Sequence, residues 1–114
     1  RGDVVLVDFP YSDQTGSKLR PALVVQADTL NQKLDDTILA LITSSKRRMV
    51  GSATQLVIDV STVEGKRTGL RMDSAVQCEN LVTREQRLLR KKLGDFAPNL
   101  MAAIDDCLRA ALSL

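Results

Sequence analysis

The chain has 114 residues, of which 44% are apolar and 26% are charged, and its formal net charge is +2. A chain of this length builds one hydrophobic core, so a single domain over residues 1–114 is expected, and no apolar run approaches the roughly 18 residues that a membrane span needs. The sequence has no histidine and two cysteines, which excludes imidazole-dependent catalysis, a disulfide-rich scaffold and a four-ligand Cys/His zinc site. We therefore expect a cytoplasmic protein whose cysteines, Cys78 and Cys107, are reduced and buried.

Short segments rich in β-branched residues, separated by turn-forming stretches, predict a mainly β protein. The predicted strands are residues 3–9, 20–27, 36–44, 53–60 and 73–82. Residues 28–36 could hold a helical turn or two, and residues 87–96 are compatible with either a sixth strand or a helical turn. Many short strands joined by polar loops favour a small antiparallel barrel or sandwich.

The last 17 residues have a different, helical pattern. Apolar residues recur there at intervals of three and four, at Leu100, Ile104, Leu108, Ala111 and Leu112. Pro98 suits the first turn of a helix, and the apolar stripe predicts an amphipathic helix that closes the core or an interface.

Positive charge is concentrated in the middle of the chain. Residues 46–92 carry eleven Lys or Arg against five Asp or Glu, a net +6, whereas the segments on either side each carry a net −2. Three clusters hold most of it: "SKRR" at 45–48, "GKRTGLR" at 65–71 and "REQRLLRKK" at 84–92. Such clusters suit a polyanion bound in a groove, although each one alone also fits a solvated surface.

Two strand ends carry groups that could grip a phosphate. Arg20 opens the second predicted strand, and the hydroxyls of Thr43, Ser44 and Ser45 end the third. In an antiparallel meander the start of one strand lies near the end of the next, so Arg20 and Thr43 are expected at one rim. A guanidinium beside a hydroxyl offers charge and hydrogen-bond donors to a phosphate group.

The sequence resembles the MazF/PemK family of toxins from bacterial toxin–antitoxin pairs. The segments that carry the resemblance, in chain order, are "RGDVVLVDFP", "GSKLRPALVVQ", "LALITSS", "GLRMDSAVQCENLVT" and "RLLRKKLGDFAPNLMAAIDDCLRAALSL". The resemblance implies a small SH3-like antiparallel β-barrel with a C-terminal α-helix, like that of MazF and CcdB. It also implies a homodimer that binds single-stranded RNA, and inhibition by a cognate acidic antitoxin.

The resemblance implies a ribosome-independent endoribonuclease that cleaves mRNA at short sequences with neither metal nor cofactor. The family's catalytic arginine and threonine fall on Arg20 and Thr43. The neighbouring ribose 2′-hydroxyl is then the nucleophile and a cyclic phosphate the first product, a mechanism that needs positive charge and donors at the pentavalent phosphorane. The expected substrate contacts are Tyr11, Gln14, Ser17, Lys18, Ser44, Ser45, Lys46, Arg47, Gln77, Glu79 and Asn80.

Several roles stay open at this point. Tyr11 could stack on a base or plug the mouth of the barrel, and Glu79 could be the general base or a strand glutamate that points to water. The first loop has Lys18 where family members often have a glutamate, so the general base is a carboxylate or water without an assigned residue. Two other functions are considered, a CcdB-like DNA gyrase poison that is not an enzyme and a catalytically silent nucleic-acid-binding module.

Overall fold

The chain folds into one antiparallel sheet of six strands, flanked by a C-terminal helix. The computed structural model describes residues 1–10 and 16–114. In chain order the strands and helices are β1 Asp3–Pro10, β2 Ser17–Val24, α1 Asp28–Asn31, β3 Asp36–Thr43, β4 Gln55–Ile58, α2 Val63–Arg67, β5 Ser74–Glu85, β6 Leu89–Asp95 and α3 Pro98–Leu112, with a 3₁₀ turn at Gln86–Leu88. The strand order across the sheet is β4-β5-β3-β2-β1-β6. The predicted mainly β fold with a C-terminal helix is confirmed.

The five strands predicted with definite bounds are all present. The second begins and ends three residues earlier than predicted, at Ser17 and Val24, because its N-terminal part pairs with β1. Its pairing with β3 begins at Ala22, directly after Pro21, which has no N–H to donate. The undecided stretch at 87–96 contains a 3₁₀ turn followed by an edge strand that pairs with β1.

Helix α2 was not predicted. It has five residues, and its first turn is capped by Thr62, whose Oγ1 accepts a hydrogen bond of 2.9 Å from the Gly65 N–H. A threonine at this position is a strong N-cap signal, but the following residues were interpreted only as a basic cluster. The first three residues of that cluster, 65–67, therefore lie in a helix.

The two faces of the sheet bury separate apolar clusters. Val4 and Val5 are neighbours in β1 and enter different clusters, as the alternation of side chains along a strand requires. One cluster packs against α3 through Ile104 and Cys107, which are both buried. Leu100, Leu108 and Ala111 are partly buried against it, whereas Leu112 remains 53% exposed. The amphipathic stripe of α3 therefore closes the core as predicted.

A bulge in β5 bends the strand beside the end of β3. Ala40 pairs with Leu81 while the next residue, Leu41, pairs with Gln77, so residues 78–80 have no partner in β3. Bulges of this kind redirect side chains and increase local twist. The bulge places Glu79 on the exposed side, whereas Cys78 remains buried in the core.

The longest helix among the described residues, α3, has 15 residues. No helix in the described part of the chain combines the length and the hydropathy that crossing a bilayer requires.

Candidate active site

The register of β2 and β3 determines which side chains meet at the end of the sheet. Ala22 of β2 pairs with Leu41 of β3. Two residues further toward the rim, on the same face of each strand, lie Arg20 and Thr43. Both side chains line the same three adjoining depressions. The structure therefore brings together the two residues that the sequence pattern singled out, and their catalytic roles remain a proposal.

The three depressions differ in what surrounds the Arg20–Thr43 pair. The first, which we call the arginine cleft, has a volume of about 330 Å³ and is lined by Arg20, Thr43, Ser45, Arg47 and Arg48. The second, of about 380 Å³, continues past Ser44 to Lys18, Arg71 and Met72. The third, of about 220 Å³, reaches Phe9 and Gln77. An extended polyanion crossing the rim would meet cationic side chains on both sides of Thr43.

The Thr43 hydroxyl is held in place by the chain that follows it. The backbone N–H of Ser45 donates a hydrogen bond of 3.1 Å to Thr43 Oγ1. Because the oxygen is the acceptor in this bond, the hydroxyl hydrogen can be donated to another group. Thr43 thus has the chemistry of an oriented donor beside a guanidinium.

Some of the other predicted contact residues line the three depressions and some do not. Ser44 and Lys18 line the second depression, Ser45 and Arg47 line the arginine cleft, and Gln77 lines the third depression. Lys46 is exposed and is not among the residues that line these three depressions. Glu79 and Asn80 lie in the β5 bulge, and the backbone of Ser17 pairs with that of Pro10. Tyr11 and Gln14 lie outside the described residues.

Several residues that line the depressions are not among the predicted contacts, and Arg48 and Phe9 are the two beside the Arg20–Thr43 pair that matter most for charge and shape. Arg48 lines both the arginine cleft and the third depression, although only its neighbours Lys46 and Arg47 were singled out. Phe9, at the end of β1, lines the third depression and lies beneath Arg84, whose guanidinium carbon is 4.9 Å from the ring centre. The "SKRR" cluster was a usable signal for Arg48, whereas no pattern distinguished Phe9 from an ordinary strand residue.

The basic clusters differ in whether their side chains form ion pairs with carboxylates. In "REQRLLRKK", Arg87 pairs with Glu85 at 2.6 Å, Arg90 with Asp8 at 2.8 Å and Lys92 with Asp3 at 3.3 Å. In "GKRTGLR", Arg67 pairs with Asp95 at 2.7 Å, and its hydrogen bond lowers the pKa of that carboxyl. Within residues 1–10 and 16–114, none of the ion pairs found involves a side chain of the arginine cleft. Among the described residues, four of the eight cations in these two clusters are thus paired with carboxylates, whereas the three arginines of the cleft take part in none of these pairs.

Glu79 accepts hydrogen bonds from two side chains at the start of β4 and from one in its own strand, β5. Its Oε1 accepts a bond of 2.9 Å from the Thr54 hydroxyl, and its Oε2 accepts one of 2.8 Å from the Gln55 amide and a longer contact of 3.5 Å from the Gln77 amide. Desolvation raises the pKa of Glu79, but these hydrogen bonds and one from its own backbone N–H outweigh it, so the pKa lies below its usual value. Glu79 is thus ionised at neutral pH.

The whole chain is similar to a known toxin family. The profile of the PemK-like, MazF-like toxins of type II toxin–antitoxin systems matches residues 1–112. The chain belongs to this family. Among its relatives is the endoribonuclease MazF2 of Mycobacterium bovis, which is 28% identical over 115 residues, covering 100% of this chain and 96% of the relative. The predicted MazF/PemK family is confirmed.

Solved MazF structures share the fold. A mycobacterial endoribonuclease in complex with its cognate antitoxin has a TM-score of 0.80 and 24% identity, covering 100% of this chain and 94% of that one. The Mycobacterium tuberculosis toxin MazF-mt6 has a TM-score of 0.78 and 23% identity, covering 100% and 98%. The six-stranded sheet with its C-terminal helix is therefore the fold of MazF toxins.

Proposed function

We propose that this MazF-family protein is the endoribonuclease toxin of a toxin–antitoxin pair and that it cleaves single-stranded mRNA at the arginine cleft. One observation carries the site assignment: Arg20 and Thr43 line one depression together with Arg47 and Arg48, in a chain that has no histidine. The named endoribonuclease among the relatives supports the reaction class and favours it over the CcdB-like gyrase poison. We propose the cytoplasm as its location, because that is where mRNA is found.

In the proposed reaction the ribose 2′-oxygen attacks the adjacent phosphorus. The 2′-oxygen loses its proton to a base, the bond from phosphorus to the 5′-oxygen breaks, and that leaving oxygen takes up a proton. The products are a 2′,3′-cyclic phosphate and a free 5′-hydroxyl. The step needs neither an enzyme nucleophile nor a cofactor, but it does need charge and donors around the phosphorane. Arg20 supplies the charge and Thr43 the donated hydrogen bond.

The remaining cleft residues bind the substrate. Arg47, Ser45, Ser44 and Lys18 line the two depressions on either side of Thr43, where they are within reach of flanking phosphates. Gln77, Asn80 and the first-loop residues Tyr11, Gln14 and Ser17 are proposed to contact bases, since sequence in single-stranded RNA is read from splayed bases. We propose that the protein works as a homodimer and that an acidic antitoxin segment inhibits it by competing with RNA for the cleft.

The test incubates purified protein with a long single-stranded RNA in the presence of EDTA. Wild type should yield discrete fragments that end in a cyclic phosphate, and Arg20→Ala and Thr43→Ala should each lower the rate by about a hundredfold to a thousandfold, the usual cost of losing one well-placed donor. Arg87→Ala is the matched control, because it removes an exposed arginine far from the cleft. Intact RNA with wild type would refute the proposal and make inhibition of DNA gyrase the next assay. Equal cleavage by all variants would mean that the site is wrongly assigned.

A further inference from the structure

The loop that carries Arg47 and Arg48 is held by a side chain that has no role in the proposed reaction, and we call this set of hydrogen bonds the brace. We call residues 44–54, between β3 and β4, the basic loop. At its end stands Gln55, the first residue of β4, whose side-chain amide turns back toward the loop. Gln55 Nε2 donates a hydrogen bond of 2.9 Å to the Arg48 carbonyl, and Gln55 Oε1 accepts one of 3.1 Å from the Val50 N–H. One side chain therefore binds the loop backbone on both sides of Met49.

The same amide is anchored to the sheet. Its second N–H donates a hydrogen bond of 2.8 Å to Glu79 Oε2 in the β5 bulge. The other carboxylate oxygen accepts from Thr54, the last residue of the basic loop, at 2.9 Å. The Thr54 carbonyl in turn accepts a bond of 3.0 Å from the Cys78 N–H. Both N–H groups of Gln55 are thus used, and the loop is tied to a strand about 25 residues away in sequence.

We infer that Gln55, held by Glu79, is a positioning residue that keeps the basic loop folded so that Arg48 lines the arginine cleft and the third depression. The inference rests on the proposed function, because Arg48 is assigned there to a cleft that binds RNA phosphates. Arginine has many rotamers, so the direction of its guanidinium depends on where its backbone is fixed. Gln55 fixes that backbone at the Arg48 carbonyl itself. Glu79 accordingly supports the basic loop by holding the Gln55 amide.

A structurally matched control lies at the other end of the sheet. Gln86 Nε2 donates hydrogen bonds of 2.8 Å to the Asn31 and Leu34 carbonyls, so it braces a loop in the same way but away from the cleft. Gln55→Leu and Gln86→Leu each replace an amide by an apolar group of similar size. Gln55→Glu is a second variant, because it is nearly isosteric and replaces the donors toward Glu79 and Arg48 by an acceptor.

The first readout is proteolysis, which needs no enzymatic activity. Trypsin cleaves after Lys46, Arg47 and Arg48, which are the three basic residues of the basic loop. Cleavage at these bonds should be about tenfold faster in Gln55→Leu and Gln55→Glu than in wild type and Gln86→Leu, because local opening controls access to such sites. Equal cleavage rates in all four proteins would overturn the inference. This result does not depend on whether the protein cleaves RNA.

The second readout is coupling to Arg48. Gln55→Leu should lower kcat/KM for RNA by about tenfold to a hundredfold, the scale of a small misplacement of a binding group, and Gln86→Leu should leave it unchanged. In an Arg48→Ala background, Gln55→Leu should cause no further loss, because its effect acts through Arg48. Losses that multiply would overturn the positioning role. Absence of cleavage by wild type would refute the proposed function instead, and the proteolysis result would still decide whether the brace exists.

Discussion

At each end of the paired strands β3 and β5 a glutamine side chain holds a loop, but the depressions at the two ends differ in charge. At one end Gln55 ties the basic loop to Glu79, and at the other Gln86 ties the carbonyls of Asn31 and Leu34 to the turn after β5. The depression at the first end is lined by three arginines and two hydroxyl residues. The one at the second end includes Asp35 and Glu85, and its arginine, Arg87, is paired with Glu85.

A glutamine side chain holds a loop at both ends of the sheet, so the charge of the lining side chains is what distinguishes the end that we propose to bind RNA. A glutamine amide can bind backbone at any loop, because it offers two donors and one acceptor. RNA binding additionally requires cations that are not already satisfied by carboxylates. In the described ranges, the ion pairs of the second end and of β6 use arginines and lysines that the composition alone would count as basic surface.

The largest expected effect comes from changing the guanidinium at each end. Arg20→Lys should lower kcat by about a hundredfold, because an ammonium keeps the charge but cannot reproduce a planar fork of donors on the phosphorane. Arg87→Lys, at the other end, should leave kcat within about twofold of wild type, since exposed ion pairs contribute little. Single-turnover cleavage of a short fluorescent RNA measures both. A comparable loss in Arg87→Lys would erase the distinction between the two ends.

A smaller effect is expected on the salt dependence of RNA binding. Removing two cleft cations in Arg47→Ala/Arg48→Ala should make the slope of log K against log salt shallower by about 1.4, because each phosphate contact with a single strand contributes about 0.7. Lys33→Ala/Arg87→Ala removes two cations from the other end and should not change the slope. Fluorescence anisotropy with an RNA whose 2′-hydroxyl is replaced by hydrogen at the cleavage site gives the slopes without cleavage. An unchanged slope in the first variant would place the phosphates elsewhere.

The smallest effect concerns Cys78, the buried thiol of the β5 bulge. Burial, together with the nearby Cys107 and Glu79, raises the pKa of Cys78 to about 12. The thiolate is the reactive form, so at pH 8 almost none of this thiol is reactive and a disulfide reagent should label it only after denaturation. Rapid labelling of the native protein, with the site located by mass spectrometry, would mean that the bulge opens and that Glu79 is not a rigid anchor.

Most of the fold was predictable because strands are encoded locally. The β-branched runs that form β1, β3 and β5 alternate or bury both faces over a few residues, and such patterns need no knowledge of distant chain segments. The bounds of β2 were displaced because pairing with β1, a tertiary contact, extends the strand to Ser17. Its last pairs are Leu23 with β1 and Val24 with β3. Residues 87–96 could not be decided locally because they contain both a 3₁₀ turn and a strand.

The candidate site was predictable in part for the same reason. Thr43 ends β3, whereas Arg20 lies inside β2, which begins at Ser17 and not at Arg20 as predicted. The two residues still meet, because the antiparallel register pairs Ala22 with Leu41. The sequence thus determined the strands, the closing helix, the absence of imidazole chemistry and the Arg20–Thr43 pair. Only the tertiary structure decided that Arg48 lines the cleft, that half of the cations in the other two clusters are ion-paired and that Glu79 holds Gln55. Those features depend on bulges and on hydrogen bonds between groups far apart in sequence, where a change of one residue in register alters which side chains meet.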